Sequence, residues 1–294
     1  MSDGTSDRAH DRGGVSWREL LAETAATVGE RPAARWLCEV ASGADRIEDV
    51  LEEAATQRMV AHLDAMLERH RAGEPLAYVL GRWSFRHLDL AVDRRVLIPR
   101  PETEVVAGVA IELARELPPP ITVVDLGTGS GAIGLALADE LPALGVSVWL
   151  TDASPDALDV ARANLAGIPG RRAANVRIAE GPWFDALPDD VVVDVAVANP
   201  PYVATTSPDV DEAVRRWEPH EALFAGSDGL DDIRALVAAA PGRVRPGGWL
   251  VLEIGADQGP SVAALLQAAG YGEVAIRQDL AGRDRVAVAR VRGS

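Results

Sequence analysis

The sequence has no lysine, a single cysteine and few aromatic residues, and each shortage excludes a class of protein. All 29 basic residues are arginine, and 45 acidic residues outnumber them to give a formal net charge of −16. Such a surface repels the phosphate backbone, so we expect no direct nucleic-acid binding. The single cysteine, Cys38, excludes an internal disulfide, and five scattered histidines predict no metal site.

Long hydrophobic runs are also missing, since no apolar stretch approaches the roughly 20 residues that cross a bilayer. Residues 1–14 are polar and carry both charges, unlike a signal peptide. These features, with the lone cysteine, predict a cytoplasmic protein that does not bind membranes. A hydrophobic content of 48% over 294 residues excludes overall disorder and allows one large or two modest domains.

Hydrophobic periodicity divides the chain into four parts. Residues 1–15 predict a disordered tail, and apolar residues spaced three and four apart predict a helical recognition domain over 16–74. Residues 75–98 predict a β-hairpin linker, with short strands at Leu76–Tyr78, Val79–Leu80, Trp83–Phe85, Leu88–Val92 and Val96–Ile98.

Residues 99–294 form the fourth part, in which strands alternate with helices. Its first helix is predicted over Val105–Leu117, started by Glu102 or Thr103. The alternation predicts an α/β domain with a parallel sheet covered on both faces, although the closing strand pair could be antiparallel.

A glycine loop follows the first strand of this domain, in Asp125-Leu126-Gly127-Thr128-Gly129-Ser130-Gly131. Alternate glycines allow the backbone to approach a ligand closely. The spacing Gly129-x-Gly131-x-x-Gly134 also fits the dinucleotide fingerprint, so a nicotinamide or flavin dehydrogenase is a second hypothesis. Asp152, at the end of the next strand, could bind both ribose hydroxyls of either cofactor or cap a turn before Pro155.

The stretch Asn199-Pro200-Pro201-Tyr202 ends the strand predicted at 191–198. Two prolines cannot continue a ladder, so they hold the Asn199 amide at the end of the strand. If this strand lies beside the glycine-loop strand, both motifs face one crevice. Asp125 suits the cationic groups of S-adenosylmethionine better than a pyrophosphate. Together these features favour a methyltransferase over a dehydrogenase.

With these motifs the sequence resembles class I S-adenosylmethionine-dependent methyltransferases, and most closely the release factor glutamine methyltransferases of the HemK/PrmC type. The resemblance covers nearly everything from Trp17 onward. It is carried, in chain order, by Gly73-Glu74-Pro75-Leu76-Ala77-Tyr78, Leu97-Ile98-Pro99-Arg100-Pro101-Glu102-Thr103-Glu104, the glycine loop, Asn199-Pro200-Pro201-Tyr202 and Trp217-Glu218-Pro219.

The resemblance implies a Rossmann-like domain with a seven-stranded, mostly parallel sheet, a small N-terminal helical domain and a β-hairpin linker. It also implies a monomer that methylates the glutamine side-chain amide in the Gly-Gly-Gln motif of class 1 peptide chain release factors. An acidic or small polar residue is frequent just before the corresponding tryptophan in this family, whereas this chain has Gly181-Pro182 before Trp183, so the partner of the adenine amine stays open.

The resemblance also assigns roles to individual residues. Cofactor contacts are expected from Gly127, Thr128, Gly129, Ser130, Gly131, Asp152, Trp183 and Asn199. Among these, the loop would pass under the methionine part, Asp152 would hold the ribose and Trp183 would lie beside the adenine. Substrate contacts are expected from Asn199, Pro200, Pro201 and Tyr202, of which Asn199, Pro200 and Tyr202 are the predicted catalytic residues.

The chemistry of these residues supports the same prediction. An amide nitrogen is a poor nucleophile because its lone pair is delocalised, so the enzyme must orient it. The Asn199 side-chain oxygen and the Pro200 carbonyl can each accept one amide N–H, and Tyr202 can pack over the flat group. A ribosomal-protein glutamine methyltransferase, a DNA adenine methyltransferase and a non-catalytic cofactor-binding module are the alternatives. Glu253 and Trp217-Glu218-Pro219 could line the crevice or support it.

Overall fold

The computed structural model describes residues 14–168, 170–208 and 211–293, which belong to two compact units. The first unit ends at Gly81 and the second begins at Arg82. Most of the tail predicted at 1–15 lies outside the described residues. Within the described ranges, every helix is too short or too polar to span a lipid bilayer.

The first unit is helical, as the spacing of its apolar residues predicts. Its helices are α1 (Trp17–Val28), α2 (Arg31–Ser42), α3 (Gln57–Arg71) and α4 (Leu76–Leu80). Ser16 and Glu19 form a capping box that satisfies the free N–H groups at the start of α1. Trp17, Leu37 and Leu63 are almost fully buried in a single core that holds the helices together.

The strands predicted between Leu76 and Leu80 are wrong, because this segment is helix α4. Periodicity cannot assign so short an apolar run. The backbone N–H groups of Tyr78 and Val79 donate to the Pro75 carbonyl at 3.0 and 3.1 Å. Gly81 then ends the helix with φ of 70°, a conformation that glycine adopts without steric strain.

The second unit opens with the predicted hairpin, in which β1 (Arg82–Phe85) pairs antiparallel with β2 (Leu88–Ala91). The Arg86 guanidinium donates to both Glu140 carboxylate oxygens at 2.5 and 2.8 Å, which fixes the hairpin turn to the same unit. The strand predicted at Val96–Ile98 is wrong, since the Ile98 N–H donates to the Glu218 side chain instead of a ladder.

The following helix begins earlier than its sequence pattern predicts. Helix α5 (Pro101–Arg115) has Arg100 at its N-cap and proline at its first position, where no N–H is needed. Thr103 therefore lies inside the first turn rather than capping it. Its hydroxyl donates to the Glu253 carboxylate instead.

A seven-stranded sheet forms the centre of the second unit, with strand order β5-β4-β3-β6-β7-β9-β8. The strands are β3 (Ile121–Leu126), β4 (Val146–Asp152), β5 (Val176–Glu180), β6 (Val193–Ala198), β7 (Val244–Glu253), β8 (Gly272–Gln278) and β9 (Asp284–Arg290). β3 to β7 are parallel, and β9 pairs antiparallel with both β7 and β8. This confirms the predicted mostly parallel sheet.

Helices cover the sheet on both faces. Helices α5, α6 (Ala132–Glu140) and α7 (Pro155–Leu165) pack against one face, and α10 (Asp231–Ala239) and α11 (Gly259–Ala268) pack against the other. The unit also has two short helices, α8 (Arg171–Ala174) and α9 (Glu212–Trp217). Neighbouring β3 residues Val123 and Val124 belong to separate buried clusters, because successive strand residues face opposite sides. The strand order reverses between β3 and β6, and the carboxyl ends of these two strands open toward the site.

Candidate functional site

A cavity of about 300 Å³ lies at the carboxyl ends of β3, β4 and β6. All predicted site residues are described, and the cavity is lined by eight of them: Gly127, Thr128, Gly129, Ser130, Asp152, Trp183, Asn199 and Pro201. The other three, Gly131, Pro200 and Tyr202, are not among the lining residues. The glycine loop and Asn199 therefore share one crevice, as the strand order requires.

The backbone N–H groups of the glycine loop are largely occupied within the protein. Those of Gly127 and Thr128 donate to the Thr151 carbonyl at 2.9 and 2.8 Å. The Gly129 N–H donates to Asp152, and the Gly131 N–H donates to the Thr128 carbonyl. A loop that cradles a pyrophosphate has to present such groups to the ligand. This geometry disfavours the dinucleotide hypothesis.

Asp125 provides the negative charge at the glycine-loop end of the cavity. Its Oδ2 accepts hydrogen bonds from the Thr128 hydroxyl at 2.5 Å and from the Gly134 N–H at 2.8 Å. Its Oδ1 is buried and has no hydrogen-bond partner among the described residues. Burial raises the pKa of this carboxyl to about 6, despite the two hydrogen bonds that lower it. The free oxygen can accept a hydrogen bond from a cationic ligand group.

Asp152 ends β4 and connects the glycine loop to the following helix. Its Oδ2 accepts the Gly129 N–H and its Oδ1 accepts the Ser154 N–H, both at 2.9 Å. Ser154, not Asp152, caps α7. Burial raises the pKa of Asp152 above its ordinary value. Each oxygen keeps a second lone pair, so the carboxylate can still accept from a ligand hydroxyl.

Trp183 forms a wall beside the loop in a strained backbone conformation, with φ of 46°. Its ring covers Gly127, where a Cβ atom would lie only 3.0 Å from the ring carbon Cζ3. Burial and the neighbouring Asp231 raise the pKa of Asp232, although the nearby Trp183 side chain lowers it. Asp232 lines the same cavity, so the aromatic wall carries a carboxylate at its edge.

At the other end of the cavity, Asn199 belongs to a chain of hydrogen bonds. Its Nδ2 donates to the Thr103 hydroxyl at 3.4 Å, and that hydroxyl donates to Glu253 Oε2 at 2.7 Å. The Tyr202 hydroxyl donates to Glu253 Oε1 at 3.3 Å. With its Nδ2 bound to Thr103, Asn199 is left with Oδ1 as the atom that can accept from a substrate.

The backbone after Asn199 is held in place by neighbouring segments. The Tyr202 carbonyl accepts from Gln258 Nε2 at 3.0 Å, and Val203 exchanges backbone hydrogen bonds with the segment 223–225. Pro200 is buried, and Gly131 has φ of 86° at the start of α6. These contacts and conformations hold the two motifs in place.

Glu218 anchors a second wall of the cavity. Only 4% of this residue is exposed, and its carboxylate accepts from the Ile98 N–H at 3.1 Å and the Arg100 guanidinium at 2.5 Å. Pro99 and Pro219, which flank these anchors, line the cavity. The preceding Trp217 lies within 4.2 Å of the Arg94 guanidinium carbon, measured from its ring centroid. The Trp217-Glu218-Pro219 motif therefore supports the wall and contributes one residue to the lining.

Sequence patterns assigned no definite role to three residues that the structure brings to the site. Thr103 and Asp232 are cavity-lining residues that look like ordinary first-turn residues of helices. Glu253 ends a buried strand, and its only sequence signal is a carboxylate at the carboxyl end of a parallel strand. It is fully buried and supports Thr103 and Tyr202 from behind the cavity.

The residues present fit S-adenosylmethionine. The unpartnered Asp125 Oδ1 suits the amino group of the methionine part, and the absence of a Cβ atom at Gly127 lets the Trp183 ring lie directly against the loop. Asp152 can accept from ribose hydroxyls, and Trp183 offers a flat apolar surface for adenine. A cationic ligand is favoured because the lining carboxylates give this crevice a negative potential.

Comparisons with known proteins agree with this geometry. Residues 16–81 match the family model described as PrmC N-terminal domain, and residues 108–216 match the model described as Methyltransferase small domain. A solved methyltransferase from Pyrococcus furiosus covers 78% of this chain and 98% of its own, with a TM-score of 0.51 at 16% identity. That similarity shows a shared fold.

Curated relatives are similar over both units. The release factor glutamine methyltransferase of Xylella fastidiosa is 44% identical over 243 residues, which are 83% of this chain and 84% of that protein. The protein of the same name from Gloeobacter violaceus is 42% identical over 291 residues, or 95% of this chain and 98% of that protein. The similarity therefore extends beyond the cofactor-binding loop.

Proposed function

The chain belongs to the release factor glutamine methyltransferase family, and we propose that it methylates class 1 peptide chain release factors. The methyl group passes from S-adenosylmethionine to the side-chain amide nitrogen of the glutamine in their Gly-Gly-Gln motif, which leaves S-adenosylhomocysteine and releases one N–H proton of the amide to solvent. The observation that carries this proposal is the shared crevice, in which Asn199 presents an amide-binding oxygen beside the glycine loop. That arrangement selects a planar amide and a methyl donor for one site.

On the cofactor side, the residues bind and orient. Asp125 Oδ1 would accept from the amino group of the methionine part, and Asp152 would accept from the ribose hydroxyls. Trp183 would pack against the adenine, and Asp232, which lines the cavity beside it, would accept from the adenine amine. S-adenosylmethionine, when bound, supplies the methyl group on a positively charged sulfur. The glycine loop keeps side chains away from this part of the crevice.

On the acceptor side, the residues align the glutamine. Asn199 Oδ1 and the Pro200 carbonyl each accept one N–H of the substrate amide, which directs the face of the nitrogen toward the methyl group. The support behind Asn199 holds this geometry before substrate arrives. Tyr202 is fixed at both its carbonyl and its hydroxyl, so it contributes a rigid surface. An amide lacking either N–H loses one acceptor pair and is rejected.

The first unit, which matches the PrmC N-terminal domain model, serves as the substrate-recognition domain. We also propose that the enzyme acts as a monomer in the cytoplasm and makes no direct contact with nucleic acid. The net charge of −16 supports the last point.

The test is methyl transfer from labelled S-adenosylmethionine to three acceptors offered separately: a class 1 release factor, a large-subunit ribosomal protein and DNA. We expect label on the release factor, placed by peptide mass spectrometry on the Gly-Gly-Gln glutamine. A release factor with that glutamine changed to alanine is the control and should stay unlabelled. Label on DNA or the ribosomal protein alone would contradict the proposal, and cofactor binding with no transfer would favour a binding module.

A further inference from the structure

Glu253 is a buried carboxylate to which the cofactor and the substrate have no direct access. It ends β7, its exposed fraction is 0%, and its two oxygens accept from Thr103 on α5 and Tyr202 after β6. It thus joins three elements around the acceptor end of the cavity. The role of Asn199 in binding the substrate amide does not by itself require a charged group at this place.

The order of donors and acceptors along the hydrogen bonds from Glu253 through Thr103 to Asn199 decides which way the Asn199 amide points. A carboxylate accepts hydrogen bonds and cannot donate them, so Glu253 takes the proton of the Thr103 hydroxyl. The Thr103 oxygen is then left as an acceptor, and Asn199 Nδ2 donates to it. The Asn199 oxygen is consequently turned away from Thr103, toward the crevice.

We propose that Glu253 is a positioning residue whose ionised carboxylate, acting through Thr103, holds the Asn199 amide with its oxygen toward the substrate. Protonation of Glu253 makes it a donor, and the proton on the Thr103 side then turns the Thr103 hydroxyl toward Asn199. The Thr103 hydroxyl and the Asn199 Nδ2 group would then both be donors facing each other. The Asn199 amide therefore rotates so that its oxygen accepts from Thr103, and its N–H groups face the N–H groups of the substrate. Methyl transfer therefore weakens when Glu253 gains a proton. This inference rests on the proposed function.

The groups around Glu253 set its pKa within the pH range in which activity can be measured. Burial raises its pKa to about 7, although the hydrogen bond from Thr103 and the positive charge of Arg285 on β9 lower it. The negative charge of Glu102 on α5 raises it, and the Tyr202 hydrogen bond lowers it. Arg285 donates to the Ile254 carbonyl at 3.1 Å and lies 3.7 Å from Asp279. Since the pKa is raised, the active carboxylate form is lost as the pH falls through about 7.

The experiment is the single-turnover rate of release factor methylation between pH 6 and pH 8, with cofactor and release factor both saturating. A group of pKa about 7 predicts a wild-type rate about tenfold lower at pH 6 than at pH 8. Glu253→Gln cannot titrate and should vary less than about twofold over that range. Thr103→Val breaks the connection and should also lose the pH dependence, while Thr103→Ser should restore it.

Calorimetry of S-adenosylhomocysteine at each pH checks that the cofactor site stays saturated. If Glu253→Gln keeps the wild-type pH profile and only lowers the rate and the melting temperature, Glu253 is merely structural and the inference is overturned. If Glu253→Gln does not fold, Thr103→Val and Thr103→Ser carry the test with the same readout. If wild type methylates no release factor at any pH, the proposed function fails before this inference is reached.

Discussion

The two ends of the cavity are built in different ways, although each contains a buried carboxylate. At the glycine-loop end, Asp125 lines the cavity and accepts from one side chain and one backbone N–H, and its second oxygen has no hydrogen-bond partner among the described residues. At the Asn199 end, both oxygens of Glu253 are bound by protein hydroxyls, and the carboxylate is hidden from the ligand. The first carboxylate can contact a ligand directly, whereas the second acts only through Thr103 or Tyr202.

This difference separates recognition of the cofactor from alignment of the substrate amide. The cofactor end fixes shape with backbone hydrogen bonds, which are the same at any pH, and adds charge at Asp125 and Asp152. The acceptor end depends on which atoms of Thr103 and Asn199 donate, and that order can reverse. Changes at the first end should therefore alter cofactor affinity, and changes at the second should alter the rate of transfer.

The largest expected effect is that of Asn199→Ala. It should lower the single-turnover rate by about 100-fold or more, because misplacing a reacting group costs on that order. Calorimetry of S-adenosylhomocysteine should give a dissociation constant close to that of the wild type. Asn175→Ala, which removes a side chain bound to the Ala143 carbonyl away from the cavity lining, is the matched control. An equal loss of cofactor affinity would show that Asn199 mainly shapes the cofactor site.

Asp152→Ala should have the opposite signature. It removes acceptors from the ribose and from the Gly129 N–H, so the cofactor dissociation constant should rise about 10- to 100-fold, as expected for hydrogen bonds to a charged group. The rate at saturating cofactor should change little. Asp156→Ala removes an exposed carboxylate from the first turn of α7 and is the control. A reduced saturating rate at unchanged affinity would contradict the division between the two ends.

The pH dependence of cofactor binding comes from Asp125. Its pKa of about 6 is raised above the ordinary value, so the carboxylate that accepts from the cofactor amino group is lost as pH falls below 6. Affinity for S-adenosylhomocysteine should therefore be about tenfold lower at pH 5 than at pH 7. Asp125→Asn should bind the cofactor weakly and lose most of this pH dependence. The part that remains would come from Asp152, whose pKa is also raised. Unchanged affinity across this range would exclude the assigned contact.

The smallest effect distinguishes backbone strain from loss of the aromatic wall. Gly127 and Gly43 have φ of 72° and 73°, but only Gly127 lies against a ring, that of Trp183. Alanine at either position should cost about 1 kcal/mol of unfolding free energy, measured by urea denaturation. Gly127→Ala should in addition weaken cofactor binding several-fold, since the Trp183 ring must move. Equal binding by both variants would show that Trp183 is not part of the cofactor wall.

Much of the fold follows from local pattern. The alternation of buried strands and helices from Ile121 onward predicts a parallel sheet, and the carboxyl ends of its strands necessarily meet at one edge. The order of strands and helices along the chain therefore places the glycine loop and Asn199 at the same edge of the sheet, and the observed pairing of β3 with β6 brings them side by side. The helix at Leu76–Leu80 could not be predicted, because five apolar residues fit a strand as well as a helix.

Hydrogen-bond partners that lie far apart in the sequence could not be predicted from local pattern. Glu218 binds the Ile98 N–H across 120 positions, and Glu253 binds the Thr103 hydroxyl across 150. The local sequence marks both glutamates as candidates for the crevice, but it does not show which groups each carboxylate binds. Their roles depend on the tertiary contacts that bury them.

The sequence by itself determined which chemical groups the protein has and the edge of the sheet at which they meet. Only the tertiary structure decided which carboxylates lose contact with water and which hydroxyls point at them. Ionisation depends on desolvation and on charges nearby in space, whatever their distance along the chain. For this reason Asp125 and Glu253 acquire raised pKa values and different roles in the fold.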